Sequence, residues 1–354
     1  MSPMFVPGPV DVAAEILAAQ TRPMLPHRAK EFEAIFQRAS DQARQLFYTQ
    51  YRVFLTASSG TGLQEAFVRN FARENVLACI NGAFANRWYE VAVSNGKAVD
   101  KVEVPWEQPI TPELVAEALS ERHYEVLTVV HNETSTGMQN PVKEIAAAAR
   151  EASPETLICV DAVSSLGGAK IEMDAWGLDG VLTSSQKCLA LPPGLGLGAV
   201  SDRALNYAAS VPNRGWYFDL VRMEKHRLKD STPATPAMSL IYALDVQLER
   251  ILAEGLDARF ERHSAMARRV QEWAEGRGLP VYAPSGYRSQ TVTTIRNQTR
   301  HPVAEINQFL GMRGMRIANG YGALKDVTFR IAHMGETTME QIEELLAALD
   351  ELLA

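Results

Sequence analysis

The sequence has no long apolar run, few cysteines and no excess of basic residues, and each absence excludes a class of protein. No apolar run approaches the roughly 18 residues that a membrane-spanning helix needs. The opening MSPMFVPGPVD lacks the basic start and apolar middle of a secretion signal, so we expect a cytoplasmic protein. A net charge of −7 disfavours a nucleic-acid-binding surface. We therefore expect small-molecule partners, with neither nucleic acid nor membrane.

Cysteine and histidine usage gives no sign of disulfides or of a metal site. The three cysteines, Cys79, Cys159 and Cys188, lie far apart without CxxC spacing. Two of them belong to the apolar runs VLACI and TLICVD, which is typical of small buried hydrophobic residues. The 7 histidines show neither HxxxH nor HExxH spacing. We predict no protein-held catalytic metal.

Short apolar runs alternate with helical patterns between about residues 50 and 210. The runs are VLACI, EVLTVVH, TLICVD, DGVLTSS and GAVSD. This alternation predicts a mostly parallel sheet with helices on both faces. Ligands of such sheets bind at the carboxyl ends of the strands, so the residues that follow each run are the candidates for function.

The two ends of the chain differ from this central region. Pro-Gly-Pro near the start predicts an extended segment over residues 1–20, ahead of a large domain over 21–250. A long helical pattern over 237–254 leads towards a smaller C-terminal domain over 251–354, which mixes helices with strand-like runs. Thr337 and Glu340 have capping-box spacing and predict the start of the last helix.

A small, hydroxylated loop follows the first predicted strand, Tyr51 to Leu55. Its residues 59–62, SGTG, open a helical pattern in which Thr61 and Gln64 fit a capping box. Free N–H groups, hydroxyls and the positive end of a helix dipole together suit a phosphate, although a plain capped helix fits the pattern too. The loop matches neither GxxxxGK[ST] nor GxGxxG, which favours a simple phosphate ester over a nucleotide.

A carboxylate and a lysine follow two later strands. Asp161 ends the run TLICVD, and Lys187 follows DGVLTSS. Taken singly, Asp161 could cap the next turn and Lys187 could be a surface lysine. In a parallel sheet, however, both would face the same crevice as the 59–62 loop. A phosphate cradle, a carboxylate and a lysine are together what pyridoxal 5'-phosphate requires, so we predict this cofactor.

Motifs along the whole chain resemble those of the class V aminotransferases, most closely the alanine–glyoxylate and serine–pyruvate aminotransferase branch. These motifs are PGPV, ASSGTGLQEA, NGAFANRW, HNETSTG, VDAVSSLGG, SSQKCLALPPGLG, TPATPAMSLIYAL and FRIAHMG. The resemblance implies an α/β fold of type I, with a seven-stranded, mostly parallel sheet flanked by helices and a smaller C-terminal α+β domain. It also implies a homodimer with active sites at the subunit interface.

The resemblance assigns a role to each matching position. Lys187 would be the Schiff-base lysine, and Asp161 would pair with the pyridine nitrogen. Arg330 would bind the substrate α-carboxylate, helped by the backbone around Gly8. Without the resemblance, Arg330 would be interpreted as a surface charge on an edge strand. The other implied cofactor-binding residues are Ser59, Gly60, Thr61 and Gln186 at the phosphate, Thr235 from the neighbouring subunit, Thr134 at the phenolic oxygen and Phe84 stacked on the ring.

The implied reaction is a ping-pong transamination from alanine or serine to glyoxylate or pyruvate, with amino acid and 2-oxo acid substrates. Phosphoserine aminotransferase is the alternative, because His27 and Arg28 could meet a substrate phosphate. A cysteine desulfurase is disfavoured, since no cysteine follows Cys188. The glycines of LPPGLGLG are misplaced for a nicotinamide dehydrogenase. A non-catalytic subunit would not need Lys187, Asp161 and Arg330 intact.

Overall fold

The structure, a computed structural model, describes residues 3–353. Its strands are β1 (Met4–Phe5), β2 (Arg52–Ala57), β3 (Asn75–Ile80), β4 (Ala98–Glu103), β5 (Val126–Val130), β6 (Asn132–Glu133), β7 (Met138–Gln139), β8 (Leu157–Asp161), β9 (Gly180–Ser184), β10 (Leu195–Val200), β11 (Val292–Arg296), β12 (Arg316–Asn319) and β13 (Thr328–Ala332).

Twelve α-helices lie between and around these strands in the described residues. They are α1 (Ala14–Ala19), α2 (Lys30–Leu46), α3 (Gly60–Phe71), α4 (Ala83–Ser94), α5 (Pro112–Glu121), α6 (Val142–Ala152), α7 (Asp202–Ser210), α8 (Leu220–Arg227), α9 (Met238–Glu254), α10 (Leu256–Gly276), α11 (Val303–Gly311) and α12 (Met339–Leu353). None of them is long and apolar enough to cross a membrane.

A seven-stranded sheet in the order β2-β10-β9-β8-β5-β3-β4 forms the centre of the larger part of the chain. Strand β10 is antiparallel to both of its neighbours, and every other pair is parallel. Strands β5, β8 and β9 are buried throughout, because helices cover both faces of the sheet. Their carboxyl ends therefore meet at one edge, as the sequence predicts.

A second sheet, in the order β1-β12-β13-β11, packs with helices of the C-terminal part around a separate core. Met266, Ile306 and Leu345 belong to this core and come from α10, α11 and α12. Strand β1, from the start of the chain, pairs in parallel with β12. Strand β13 lies between β12 and β11, so it is an inner strand.

Several local predictions need correction. The segment predicted to be extended over residues 1–20 contains helix α1. At the start of α3 the capping residue is Ser59, whose hydroxyl accepts a hydrogen bond from Gly62 N at 3.3 Å, so the capping box predicted from Thr61 and Gln64 is wrong. Before α12, the reciprocal bonds of a capping box join Thr338 and Gln341, one residue later than predicted for Thr337 and Glu340.

Candidate active site

A cavity of about 310 Å³ lies at the carboxyl ends of β5, β8 and β9. Helices α3 and α4 begin at its walls, and the loop after β12 borders it through Tyr321. Nine residues singled out from the sequence line it, namely Gly8, Ser59, Gly60, Thr61, Phe84, Thr134, Asp161, Gln186 and Lys187. The strand order thus brings together side chains that are far apart in the chain.

Asp161 ends β8 inside the cavity and is held by two donors. Its carboxylate accepts hydrogen bonds from Gln64 Nε2 at 2.7 Å and from Val163 N at 2.8 Å. Burial raises the pKa of Asp161 to about 6, against the lowering effect of these two donors. A donor brought into the cavity would stabilise the charged form of this carboxylate further.

The start of α3 offers main-chain N–H groups to the cavity. The first N–H groups of a helix have no partner within that helix, and here the Ser59 hydroxyl accepts only from the N–H of Gly62. A side chain at Gly60 would meet Val163, because a Cβ there would lie 2.4 Å from Val163 Cγ2. The hydroxyl of Ser184 also borders the cavity and has no partner in the described residues. This end of the cavity therefore presents unpaired hydrogen-bond donors, which is the arrangement that binds an anion.

Lys187 follows β9 and points towards the N-terminal segment. Its Nζ donates a hydrogen bond to Pro7 O, and a Cβ at Gly8 would lie 2.7 Å from Nζ. Burial, and then the charge of Arg330, lower the pKa of Lys187 to about 8. An amine with this pKa is far more often neutral, and hence nucleophilic, than a surface lysine.

Arg330 lies on the inner strand β13 and is 6% exposed, so its interpretation as a surface charge on an edge strand is wrong. Its guanidinium donates to Asn319 O at 3.0 Å and to Thr134 O at 3.2 Å. No carboxylate in residues 3–353 forms an ion pair with it, and burial lowers its pKa to about 10. A buried cation without a counterion favours the binding of an anion.

Phe84 lies in the first turn of α4, which is capped by a buried glutamate. The carboxylate of Glu133 accepts hydrogen bonds from Phe84 N at 3.1 Å, from Ala85 N at 2.9 Å and from Ser135 Oγ at 2.6 Å. Glu133 thus fixes the position of Phe84 through the main chain. The phenyl ring of Phe84 stacks on Tyr321 with 5.1 Å between ring centroids.

The remaining predicted residues are not all in the cavity. Thr134 lines it, and its Oγ1 is 2.5 Å from Ser164 Oγ. Thr235 lines a different pocket, together with Trp216 and Tyr217. His27 and Arg28 precede α2 and line neither of these two pockets.

The sequence patterns do not single out three residues that line the cavity, Gln64, Arg87 and Tyr321, or Glu133, which accepts hydrogen bonds from the main chain of Phe84. Arg87 and Glu133 belong to motifs that carry the family resemblance, NGAFANRW and HNETSTG, so those motifs were a usable signal. The local pattern at Gln64 predicts a capping box, whereas its side chain donates to Asp161. Tyr321 follows a short strand of the second sheet, and only the tertiary fold brings it to Phe84.

Comparison with known proteins identifies a matching family and similar chains. The sequence model of the family described as "Aminotransferase class-V" matches residues 12–345. Alanine–glyoxylate aminotransferase 1 of Saccharomyces cerevisiae is 34% identical, over 94% of this chain and 92% of its own length. L-Aspartate–glyoxylate aminotransferase of Paracoccus denitrificans is 33% identical, over 95% and 87%. A Synechococcus protein named "Soluble hydrogenase, small subunit" is also 33% identical, over 99% and 92%.

Among solved structures, the aspartate aminotransferase of subgroup IV from Thermus thermophilus superposes with a TM-score of 0.92. It is 32% identical, and the match covers 99% of this chain and 98% of that one. The predicted fold class is therefore confirmed, as is the predicted aminotransferase activity. The chain belongs to the class V aminotransferase family and is an aminotransferase with the fold-type I architecture.

Proposed function

We propose that this aminotransferase uses pyridoxal 5'-phosphate to move an amino group from alanine or serine to glyoxylate. The class V family generally depends on this cofactor. Two of the relatives named above differ in their amino donor but share glyoxylate as acceptor. Pyruvate, the other acceptor expected from the sequence, differs from glyoxylate by one methyl group and is the second candidate.

The residues of the cavity fit the cofactor. The unpaired N–H groups at the start of α3, with Ser59, Thr61 and the Ser184 hydroxyl, would hold the phosphate. Asp161 would accept from the pyridine N–H, and Phe84 would stack on the ring. The volume of about 310 Å³ lies in the range of small-molecule sites.

One observation carries the proposal. Lys187, whose pKa is lowered by burial, shares a cavity with the buried carboxylate of Asp161, and the buried Arg330, which has no carboxylate partner, donates to the main chain of Thr134 in the wall of that cavity. Transamination needs these three groups, because it requires an amine that can lose its proton, a base for the ring nitrogen and a cation for the α-carboxylate. Neither a capped helix nor a surface lysine would explain why Lys187, Asp161 and Arg330 converge.

Each residue would act through a distinct contact. Bound pyridoxal phosphate supplies an aldehyde and a ring that withdraws electrons from the α-carbon of the amino acid. Arg330 orients the substrate by two parallel hydrogen bonds to its α-carboxylate. Lys187 Nζ, once neutral, would take the α-proton and pass it to the carbon that had carried the aldehyde, and in the second half of the reaction it would move a proton in the opposite direction. Asp161 keeps the ring nitrogen protonated.

The proposal also includes a homodimer in which Thr235 reaches the phosphate of the neighbouring subunit. It is supported by the position of Thr235 outside the cavity of its own chain and by the exposed aromatic residues near it, Trp216 and Tyr217. Sedimentation of the purified protein should give twice the chain mass of 39.0 kDa. Phosphoserine is the less favoured donor, because the two aminotransferase relatives described above are named for aspartate or alanine as donor and for glyoxylate as acceptor.

The absorbance spectrum of the cofactor-loaded protein tests the proposal directly. Alanine, serine, glutamate and phosphoserine are added one at a time. We expect alanine or serine to convert the visible band of the aldehyde form into that of the amine form, and glyoxylate to reverse the change. Lys187→Ala should slow this conversion by about 10²- to 10⁴-fold, as removal of a general base does. Lys170→Ala is the control, since Lys170 lies outside the cavity.

Each result has a different meaning. Conversion by phosphoserine alone would favour the alternative donor. A band that no amino acid changes would mean that the protein holds the cofactor for another reaction. If no band forms even with added pyridoxal phosphate, the assignment of Lys187 is wrong.

A further inference from the structure

A second arginine lies at the mouth of the cavity and has no role in the reaction described above. Arg87 comes from the first turns of α4, lines the cavity, and lies with its Cζ 4.8 Å from the centroid of the Phe84 ring. Its Nη2 donates a hydrogen bond of 2.7 Å to the hydroxyl of Tyr321. In the part of the chain that the structure describes, no carboxylate forms an ion pair with Arg87.

Tyr321 connects this arginine to Arg330. The Tyr321 ring stacks on Phe84 at an interplanar angle of 17°, and the Cζ of Arg330 lies 5.7 Å from its centroid. The ring is therefore in contact with the residue expected to bind the α-carboxylate, while its hydroxyl is in contact with Arg87. Tyr321 thus contacts both guanidinium groups, one through its hydroxyl and the other through its ring.

The polar groups of Arg87 and Tyr321 can all act as hydrogen-bond donors to a ligand. Arg87 has five N–H donors and no acceptor, and it uses one of them on Tyr321. The Tyr321 hydroxyl accepts that bond and keeps its own hydrogen to donate. A hydroxyl that accepts from a cation is polarised and becomes a stronger donor. Such a pair suits an anionic group far better than an apolar side chain.

We propose that Arg87 and Tyr321 form a subsite that binds a second carboxylate, that of a dicarboxylic amino acid or 2-oxo acid such as aspartate. The inference rests on the proposed function, because Arg330 must hold the α-carboxylate for the substrate side chain to reach Arg87. It extends the range of donors from alanine and serine to dicarboxylic amino acids.

Paired substrates and paired variants test the subsite on the cofactor-loaded protein. The half-reaction is measured with aspartate, with its neutral isostere asparagine, and with alanine. We expect kcat/KM for aspartate to exceed that for asparagine, and Arg87→Gln to lower the aspartate-to-asparagine ratio about 10- to 100-fold, as loss of a charge-assisted hydrogen bond does. Tyr321→Phe should lower the ratio by a smaller factor, about 3- to 10-fold, because the charge remains.

A non-reacting ligand gives a readout that does not depend on turnover. The Kd of succinate, measured by calorimetry on the cofactor-loaded protein, should rise more than that of propionate in Arg87→Gln. Arg73→Gln is the control, since Arg73 also contacts an aromatic ring, that of Tyr207, but does not line the cavity. It should change neither the donor ratio nor either Kd.

Different outcomes would contradict the subsite and the proposed reaction. If the wild-type protein converts alanine but not aspartate, or if Arg87→Gln slows aspartate and asparagine in equal proportion, the subsite does not exist. If no donor changes the spectrum of the wild-type protein but succinate binding still depends on Arg87, the subsite stands and the proposed reaction fails.

Discussion

Two buried arginines, one at the junction of the two sheets and one beside the cavity, differ in whether a carboxylate balances their charge. Arg259 is 1% exposed and pairs with Glu254 at 2.6 Å and with Glu336 at 3.1 Å. It also donates to Gly167 O and Cys188 O, both at 2.9 Å. Arg330 is 6% exposed and bonds only to main-chain carbonyls. The charge of Arg259 is therefore balanced by carboxylates of the fold itself, whereas the charge of Arg330 is balanced only when an anion binds.

Replacing each arginine by methionine should separate these two cases, and it gives the largest effect we predict. Arg259→Met should lower the free energy of unfolding by about 3 kcal/mol. It leaves buried carbonyls without a donor, and it removes an ion-pair partner from the carboxylates of Glu254 and Glu336. Arg330→Met should lower it by less than about 1 kcal/mol, because removal of a buried charge without an ion-pair partner offsets the loss of the two hydrogen bonds to Asn319 O and Thr134 O. Denaturant unfolding of the protein without cofactor measures both. Equal losses would show that Arg330 is as structural as Arg259.

The charge of Lys187 provides a test of intermediate size. A folded-state pKa of about 8, below the ordinary value of 10.5, means that burying the charged amine costs stability at pH 7. That cost corresponds to about 3 kcal/mol, from which the bond to Pro7 O subtracts about 1 kcal/mol. Without cofactor, Lys187→Met should therefore be more stable than the wild type at pH 7 by about 2 kcal/mol.

The pH dependence checks the cause of that difference. Between about pH 8 and 10.5 the unfolded chain binds a proton at Lys187 that the folded chain has lost, so wild-type stability rises with pH there. The advantage of Lys187→Met should accordingly shrink between pH 8 and pH 10 in thermal unfolding experiments. An advantage that stays constant would mean that packing, and not charge, is responsible.

The contrast between paired and unpaired groups also explains which parts of the site could be predicted from sequence. Asp161 and Lys187 each follow an apolar run, and parallel strands bring such positions together whatever the details of packing. Arg330 depends on the pairing of β13 with two strands of the second sheet, which no local pattern reports, so only the family resemblance identified it. Arg87 and Tyr321 are distant in sequence, and their contact exists only in the folded chain.

The local sequence does not specify the residue that caps helix α3, for a physical reason. In SSGTG, several neighbouring residues could each cap a helix; in the fold Ser59 does so, and the next residue, Gly60, packs too closely against Val163 for a side chain. Gln64, which the pattern assigned to the cap, instead turns inwards to Asp161. The local pattern thus predicted that a helix begins here, but tertiary contacts decided where.

The smallest predicted effect concerns this cap and compares it with a cap outside the cavity. Ser59 caps α3, and Thr111 caps α5 with a bond from Leu114 N. Replacing either by alanine should lower the free energy of unfolding by about 1 kcal/mol, because each change removes one N-cap acceptor. Only Ser59→Ala should also weaken the binding of pyridoxal phosphate, measured by titration at equilibrium, since only that hydroxyl borders the cavity. Equal affinities in the two variants would mean that the Ser59 hydroxyl serves the helix alone, and that the main-chain N–H groups of α3 hold the phosphate without it.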